Sequence, residues 1–147
     1  MHEALKMALL AYEQDEVPVG AIVVKDNVII GTGFNRVISD KSVSSHAEIN
    51  AINNASEFLD NYRLINCDIY VTLEPCHMCA KAIVEARIDT LYFGAYEPKT
   101  GAIESVDQFL NNDHLNHKVF FSGGHMQEES SDLLKRFFQS KRKNNYF

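Results

Sequence analysis

The chain has 147 residues, the length of an ordinary single domain, and its 46% hydrophobic and 23% charged residues are typical of a globular protein. No apolar run reaches the roughly 18 residues of a membrane span, and residues 1–6 lack the layout of a signal peptide. We therefore expect one cytoplasmic domain over residues 1–147, with no membrane partner. The net charge of −6 argues mildly against nucleic-acid binding, and three cysteines are too few for a disulfide framework.

Hydrophobic periodicity predicts strands that alternate with helices along the chain. Helices are expected at residues 3–14, 49–58, 80–86 and around 133–138. Strands are expected at residues 19–24, 28–32, 69–73, 90–93 and 119–121. Asp26-Asn27 is a turn pair that would join the first two strands into a hairpin, and the apolar run at 21–24 is typical of a central strand. This order predicts an α/β fold, a three-layer α/β/α domain with a central mixed sheet of about five strands.

A Cys-x-x-Cys pair lies where the strand at 69–73 passes into the next helix. Cys76 and Cys79 are three residues apart and would share one face of that helix, and Pro75 suits the position just ahead of it. The free N–H groups and the dipole of a helix start stabilise thiolates. Taken alone, the pair is either a redox dithiol or two ligands of a metal ion.

His46 adds a third candidate ligand, because it also lies at the start of a helix. Two helix starts that each present zinc ligands favour a metal site over a redox pair. One histidine and two cysteines make three protein ligands, the number found in catalytic zinc sites, where the fourth position binds water. His77 is expected to point away from the cysteines. His114 and His117 lie in an Asn-rich predicted loop, and we expect them at the surface.

Glu48 lies two residues after His46 and has two interpretations. With Ser45 it would form a capping box, in which the glutamate folds back onto the helix start. Alternatively, it is the proton carrier that an open zinc site needs. Zinc brings the pKa of a bound water to around 7. Glu48 would accept a proton from this water, and the resulting hydroxide would attack an amidine-like carbon. Glu48 would then pass protons to the ring nitrogen and the departing amine. The second interpretation predicts hydrolytic deamination.

His46-Ala47-Glu48 and Pro75-Cys76-His77-Met78-Cys79 match the H-x-E…P-C-x-x-C signature of the zinc nucleobase deaminases. Over about residues 4–142 the chain also resembles the bacterial tRNA-specific adenosine deaminases of the cytidine-deaminase superfamily. The segments that carry this resemblance are residues 17–21, 31–36, 61–64, 71–75, 93–95 and 99–102. The resemblance implies a cytidine-deaminase-like fold, conversion of the wobble adenosine of a tRNA anticodon stem-loop to inosine, and a homodimer.

The same resemblance implies roles for individual residues. One zinc ion per subunit, with a bound water or hydroxide, would be held by His46, Cys76 and Cys79, with Glu48 as the proton shuttle. The nucleoside would be bound by Asn35, Val19 and Ala47. The RNA contacts would come from Glu97, Lys99, Phe137, Phe138, Lys141 and Arg142. Glu97 stands where the family often has aspartate, and Glu104 where it has a small residue, so the nucleotide context that is recognised stays open.

Other interpretations also stay open. Residues 135–143 contain five cations and no acid, and aromatic side chains beside cations suit a looped RNA. The alternatives are a solvated helix end for the cations and core packing for the two phenylalanines. A free-base deaminase acting on guanine or cytosine would use the same zinc chemistry. A structural zinc module or RNA-binding protein would need a fourth ligand and would give Glu48 no role.

Overall fold

Helices and strands alternate through most of the chain in the computed structural model, which describes residues 1–144. The helices are α1 (His2–Glu13), α2 (Val37–Asp40), α3 (Ala47–Leu59), α4 (His77–Glu85) and α5 (Gln127–Asn144), with a 3-10 turn at Phe109–Asn111. The strands are β1 (Gly20–Lys25), β2 (Val28–Phe34), β3 (Cys67–Leu73), β4 (Thr90–Ala95) and β5 (Phe120–Ser122). The predicted order is confirmed; α2 and the 3-10 turn were not predicted. Within the described residues, no helix combines the length and the apolar character needed to cross a membrane.

The strands of residues 1–144 form one five-stranded sheet in the order β2-β1-β3-β4-β5. β1 is antiparallel to β2 and β3, whereas β3, β4 and β5 are parallel. Asp26 and Asn27 form the β1–β2 turn with φ of 51° and 64°, the left-handed conformation of a tight hairpin. β1 is an inner strand whose first four residues are buried, as its apolar run indicates. The predicted mixed sheet is therefore confirmed.

The helices cover both faces of the sheet. On one face, α1 approaches Gly20 and α5 approaches Gly94 so closely that a Cβ at either glycine would overlap the helix. On the other face, α3 and α4 pack against a core formed by inward side chains of the central strands, including Ile69, Val71 and Phe93. This arrangement is the predicted three-layer α/β/α fold.

Two glycines of β2 allow α3 to lie directly on the strand. A Cβ at Gly33 would overlap the carbonyl oxygen of Ala47, and one at Gly31 would be 2.5 Å from that of Ala51. Such approaches are far closer than van der Waals contact, so only glycine fits here. The close packing sets the height of α3 above the sheet and with it the position of the residues at the start of α3.

Candidate functional site

The starts of α3 and α4 bring three candidate metal ligands together. His46 is the N-cap residue of α3, Cys76 is the N-cap residue of α4, and Cys79 lies in the first turn of α4. Nδ1 of His46 is 3.7 Å from Sγ of Cys76 and 3.4 Å from Sγ of Cys79. Tetrahedral zinc with ordinary Zn–S and Zn–N bonds requires ligand atoms about 3.5–3.8 Å apart. The three candidate ligand atoms lie within 4.8 Å of one another, and both distances from His46 are close to those that zinc requires.

Within residues 1–144, this cluster is the one group of three or more His, Cys, Asp or Glu side chains placed to hold a metal, and it has three members. A closed structural zinc site has four protein ligands, whereas a catalytic site keeps one position open. His77, as predicted, points elsewhere, with Nε2 2.8 Å from Asp107 Oδ2. His117 donates to the carbonyl of Ile88, and His114 is exposed. The geometry is that of an open site.

The protonation of Cys76 also favours metal binding. Hydrogen bonds from the Cys79 thiol and from His46 hold the pKa of Cys76 well below its usual range, against the opposing effect of burial. A thiolate is the form of cysteine that ligates metals. Cys67 differs from this pair: it is buried in the core, and burial raises the pKa of its thiol.

Glu48 is buried at the edge of the same cluster. It is 4% exposed, and burial raises the pKa of its carboxyl to about 7. The capping-box interpretation is wrong, because α3 has His46 rather than Ser45 as its N-cap residue. Ser45 instead donates through Oγ to Asp40. A buried carboxyl that titrates near neutrality beside a metal site is suited to moving protons.

A cavity of about 380 Å³ opens beside the cluster and Glu48. Its walls include Val19 and Asn35, two residues predicted to bind substrate. Ala47 is fully buried and contributes through its backbone, since its N–H donates to Oδ1 of Asn35 at 2.9 Å. This bond fixes the Asn35 side chain by its oxygen, which leaves the NH₂ group as the end available to a ligand. The cavity has the size of a small-molecule pocket.

Sequence reasoning missed two buried carboxylates in the cavity wall, Glu16 and Glu74. Glu16 accepts hydrogen bonds from the N–H groups of Ile38 and Ser39 and from Ser39 Oγ. Burial acts against ionisation, but these bonds hold the pKa of Glu16 below its usual value. Glu16 thereby holds α2 against the cavity. The sequence signal for Glu16 was a charged residue beside an apolar predicted strand, and this pattern by itself is weak evidence for a role in the site.

The predicted RNA-contact residues fall into two groups. Glu97 and Lys99 lie in the loop after β4, whose Thr100 lines the cavity, and Glu97 accepts a hydrogen bond from the Lys99 N–H. On α5, Phe138 is 44% exposed, and Arg142 is exposed.

The neighbouring Phe137 is 6% exposed and packs edge-on against Tyr12. Core packing therefore accounts for Phe137. Lys141 lies over the Phe137 ring and forms an ion pair with Asp15. This ion pair joins the end of α5 to Asp15, which directly precedes Glu16 of the cavity wall.

A three-layer α/β/α fold with a His/Cys/Cys cluster beside a buried glutamate defines the class of zinc-type deaminases. Consistent with that class, residues 1–142 match the model of the family described as MafB19-like deaminase. The chain is 46% identical over 143 residues to a tRNA-specific adenosine deaminase of Haemophilus influenzae, covering 97% of this chain and 83% of that protein. A tRNA-specific adenosine deaminase of Agrobacterium fabrum is 45% identical, with 97% and 93% covered. The chain therefore belongs to the family of tRNA-specific adenosine deaminases.

Solved structures agree with this assignment. A structure from studies of A-to-I editing by tRNA:A34 deaminases at the wobble position superposes with a TM-score of 0.89 and 45% identity, covering 91% of this chain and 97% of that one. A guanine deaminase from Nitrosomonas europaea superposes with a TM-score of 0.78 at 22% identity, covering 92% and 81%. At 22% identity, the similarity to the guanine deaminase shows a shared fold and nothing further. Together they confirm the predicted cytidine-deaminase-like fold.

Proposed function

We propose that this protein catalyses the hydrolytic deamination of adenosine to inosine at the wobble position of a tRNA anticodon. The observation that carries the proposal is the buried carboxyl of Glu48, which lines a cavity of about 380 Å³ together with His46 and Cys76 of the three-residue cluster. The names of the relatives supply the substrate. Membership of the family and the fit of the three ligands support one zinc ion per subunit, and we propose a homodimer by the same resemblance.

In this mechanism Glu48 moves the protons. A bound zinc ion would supply a water acidic enough to act as a nucleophile at neutral pH. Glu48 would take one proton from the attacking water as the water oxygen bonds to the carbon that bears the amine, and it would pass that proton to the adjacent ring nitrogen. The same carboxyl would then take the remaining proton from the new hydroxyl group and pass it to the amine, so that the C–N bond breaks, ammonia leaves and inosine remains. Burial keeps bulk water from competing for these protons.

Asn35 and Val19 would hold the target nucleoside. The Asn35 amide is oriented by Ala47 and can donate to an acceptor of the substrate, while Val19 provides an apolar wall for the base. A base can reach this cavity only when it is turned out of its stack. Outside the cavity, we propose that Glu97, Lys99, Phe138, Lys141 and Arg142 contact the RNA, with Phe137 supporting α5 from the core. A tRNA substrate also suits the cytoplasmic location and the single domain that the composition predicts.

The substrate assignment is tested by comparing three substrates on the same zinc-loaded protein. We expect inosine from an anticodon stem-loop with adenosine at the wobble position, and no turnover of free guanine or free cytosine. A stem-loop with the adenosine moved to the neighbouring position is the control for position. Turnover of a free base, with none on the stem-loop, would replace this proposal by the free-base deaminase.

The cations at the end of α5 are expected to contribute to RNA affinity by neutralising phosphates. Replacing Lys141, Arg142 and Lys143 by glutamine should weaken stem-loop binding and reduce the slope of log K against log salt by about one for each phosphate that is no longer neutralised. Most of the effect should come from Arg142 and Lys143, because Lys141 is already paired with Asp15.

The measurement is a salt titration of binding, with a triple glutamine variant at Lys6, Lys81 and Lys118 as the charge-matched control. These three lysines are exposed and lie outside α5. An unchanged slope in the α5 variant would assign its cations to a solvated helix end.

A further inference from the structure

The carboxylate of Glu74 collects an unusual number of hydrogen bonds. Glu74 follows β3 directly, is 3% exposed, and accepts five bonds that all come from residues 97–105. The donors are the N–H groups of Glu97, Ile103, Glu104 and Ser105 and the hydroxyl of Ser105. Hydrogen bonds to an ionised acceptor are roughly twice as strong as neutral ones. One buried side chain therefore holds both ends of this loop.

The loop that Glu74 holds borders the cavity through Thr100, and we refer to residues 96–105 as the mouth loop. Glu97 and Lys99 lie within three residues of Thr100 in the same loop. The backbone of Gly101 lies so close to the carboxylate that a Cβ at this position would overlap Cδ of Glu74. A second tether joins the same parts of the chain, because the Ala102 N–H donates to the carbonyl of Pro75.

The position of Glu74 in the sequence links the mouth loop to the metal ligands. Glu74 and Pro75 immediately precede Cys76, so the residues that hold the loop also begin the turn that presents the cysteines. A rigid connection of this kind sets the distance between the reacting centre and the surface that meets the substrate outside the cavity. Preorganised binding surfaces gain affinity because they lose less conformational entropy on binding.

We propose that Glu74 is a positioning residue for substrate recognition, which holds the mouth loop in one conformation relative to the cysteine ligands so that it can bind the nucleotides flanking the target. This inference rests on the proposed function. Glu74 itself does not contact the reacting atoms, because both carboxylate oxygens are engaged by the loop. Its removal should therefore weaken substrate binding more than it slows the chemical step.

The test is the variant Glu74→Gln, which keeps the size of the side chain but turns one acceptor into a donor that faces N–H groups. We expect KM for the stem-loop to rise about tenfold or more while kcat stays within about threefold of wild type. Zinc content should be unchanged. Amide hydrogen exchange should accelerate at residues 97 and 103–105 but not along α3. Glu85→Gln is the control, since it removes a carboxylate that is exposed and pairs with Lys81 at the end of α4.

Two variants in the mouth loop change residues that contact the Glu74 carboxylate, and they test the proposal if Glu74→Gln does not fold. Gly101→Ala places a methyl group against the carboxylate and should reproduce the rise in KM. Ser105→Ala removes one donor and should give a smaller change in the same direction. A fall in kcat at unchanged KM, or kinetics and loop exchange equal to wild type, would overturn the proposal. If the wild-type protein leaves the stem-loop unmodified, the proposed function fails, while the exchange measurement still decides whether Glu74 orders the loop.

Discussion

Replacement of Glu48 by alanine is expected to lower the rate of deamination by about a thousandfold, the middle of the range for a positioned proton carrier. The carboxyl is buried beside the candidate metal cluster and the cavity. It does not belong to the group of three candidate ligands found within residues 1–144. The variant should therefore keep its zinc while it loses proton transfer. Single-turnover rates on the stem-loop and zinc content by mass spectrometry measure the two effects separately.

A matched pair of variants isolates the chemistry of the carboxyl from its volume. Glu48→Gln keeps the shape of the side chain and should be nearly as inactive as Glu48→Ala, because an amide cannot accept the proton. Glu57→Ala removes an exposed glutamate of the same helix and should behave as wild type. Activity of Glu48→Ala within tenfold of wild type would show that another group carries the protons.

Replacement of Cys79 by alanine is expected to abolish both zinc binding and activity. Cys79 is fully buried, and its Sγ lies 3.4 Å from the candidate ligand atom of His46. Removal of a residue that only supports a ligand weakens metal affinity about 10- to 100-fold, so removal of a ligand itself should exceed that range. A competition titration against a chromogenic zinc chelator measures the change in affinity.

Cys67→Ala is the matched control, because Cys67 is equally buried but belongs to the core of the sheet rather than to the cluster. That variant should bind zinc and deaminate as wild type does, with a small decrease in folding stability. Zinc binding that survives in Cys79→Ala, or that disappears to the same extent in Cys67→Ala, would contradict the assigned ligands.

The strands and most of the helices could be predicted from sequence because their signals are local. The β-branched runs of β1 and β2 and the Asp26-Asn27 turn identify the hairpin without reference to the rest of the chain. α2 could not be found in this way. It has only four residues, and two of its N–H groups are satisfied by Glu16, which is 22 and 23 residues away. A helix that depends on such a distant carboxylate has no signature of its own.

The same distinction applies to the site. The clustering of His46, Cys76 and Cys79 could be predicted because residue type and helix starts are visible in sequence, even though thirty residues separate His46 from Cys76. The roles of Glu16 and Glu74 depend on backbone N–H groups, which every residue except proline carries and no pattern distinguishes. The two phenylalanines of α5 show a related limit. Neighbouring residues of a helix point about 100° apart, so Phe137 is buried while Phe138 is exposed.

The central claim, hydrolytic deamination of a wobble adenosine, is tested most directly by a reaction in water enriched in oxygen-18. Zinc-loaded wild-type protein and the Glu48→Ala variant are incubated with the anticodon stem-loop, and the nucleosides are analysed by mass spectrometry. We expect inosine at the wobble position from wild type, carrying one heavy oxygen from the solvent, and about a thousandfold less from the variant in the same time. Absence of inosine from wild type, or inosine without the solvent oxygen, would contradict it.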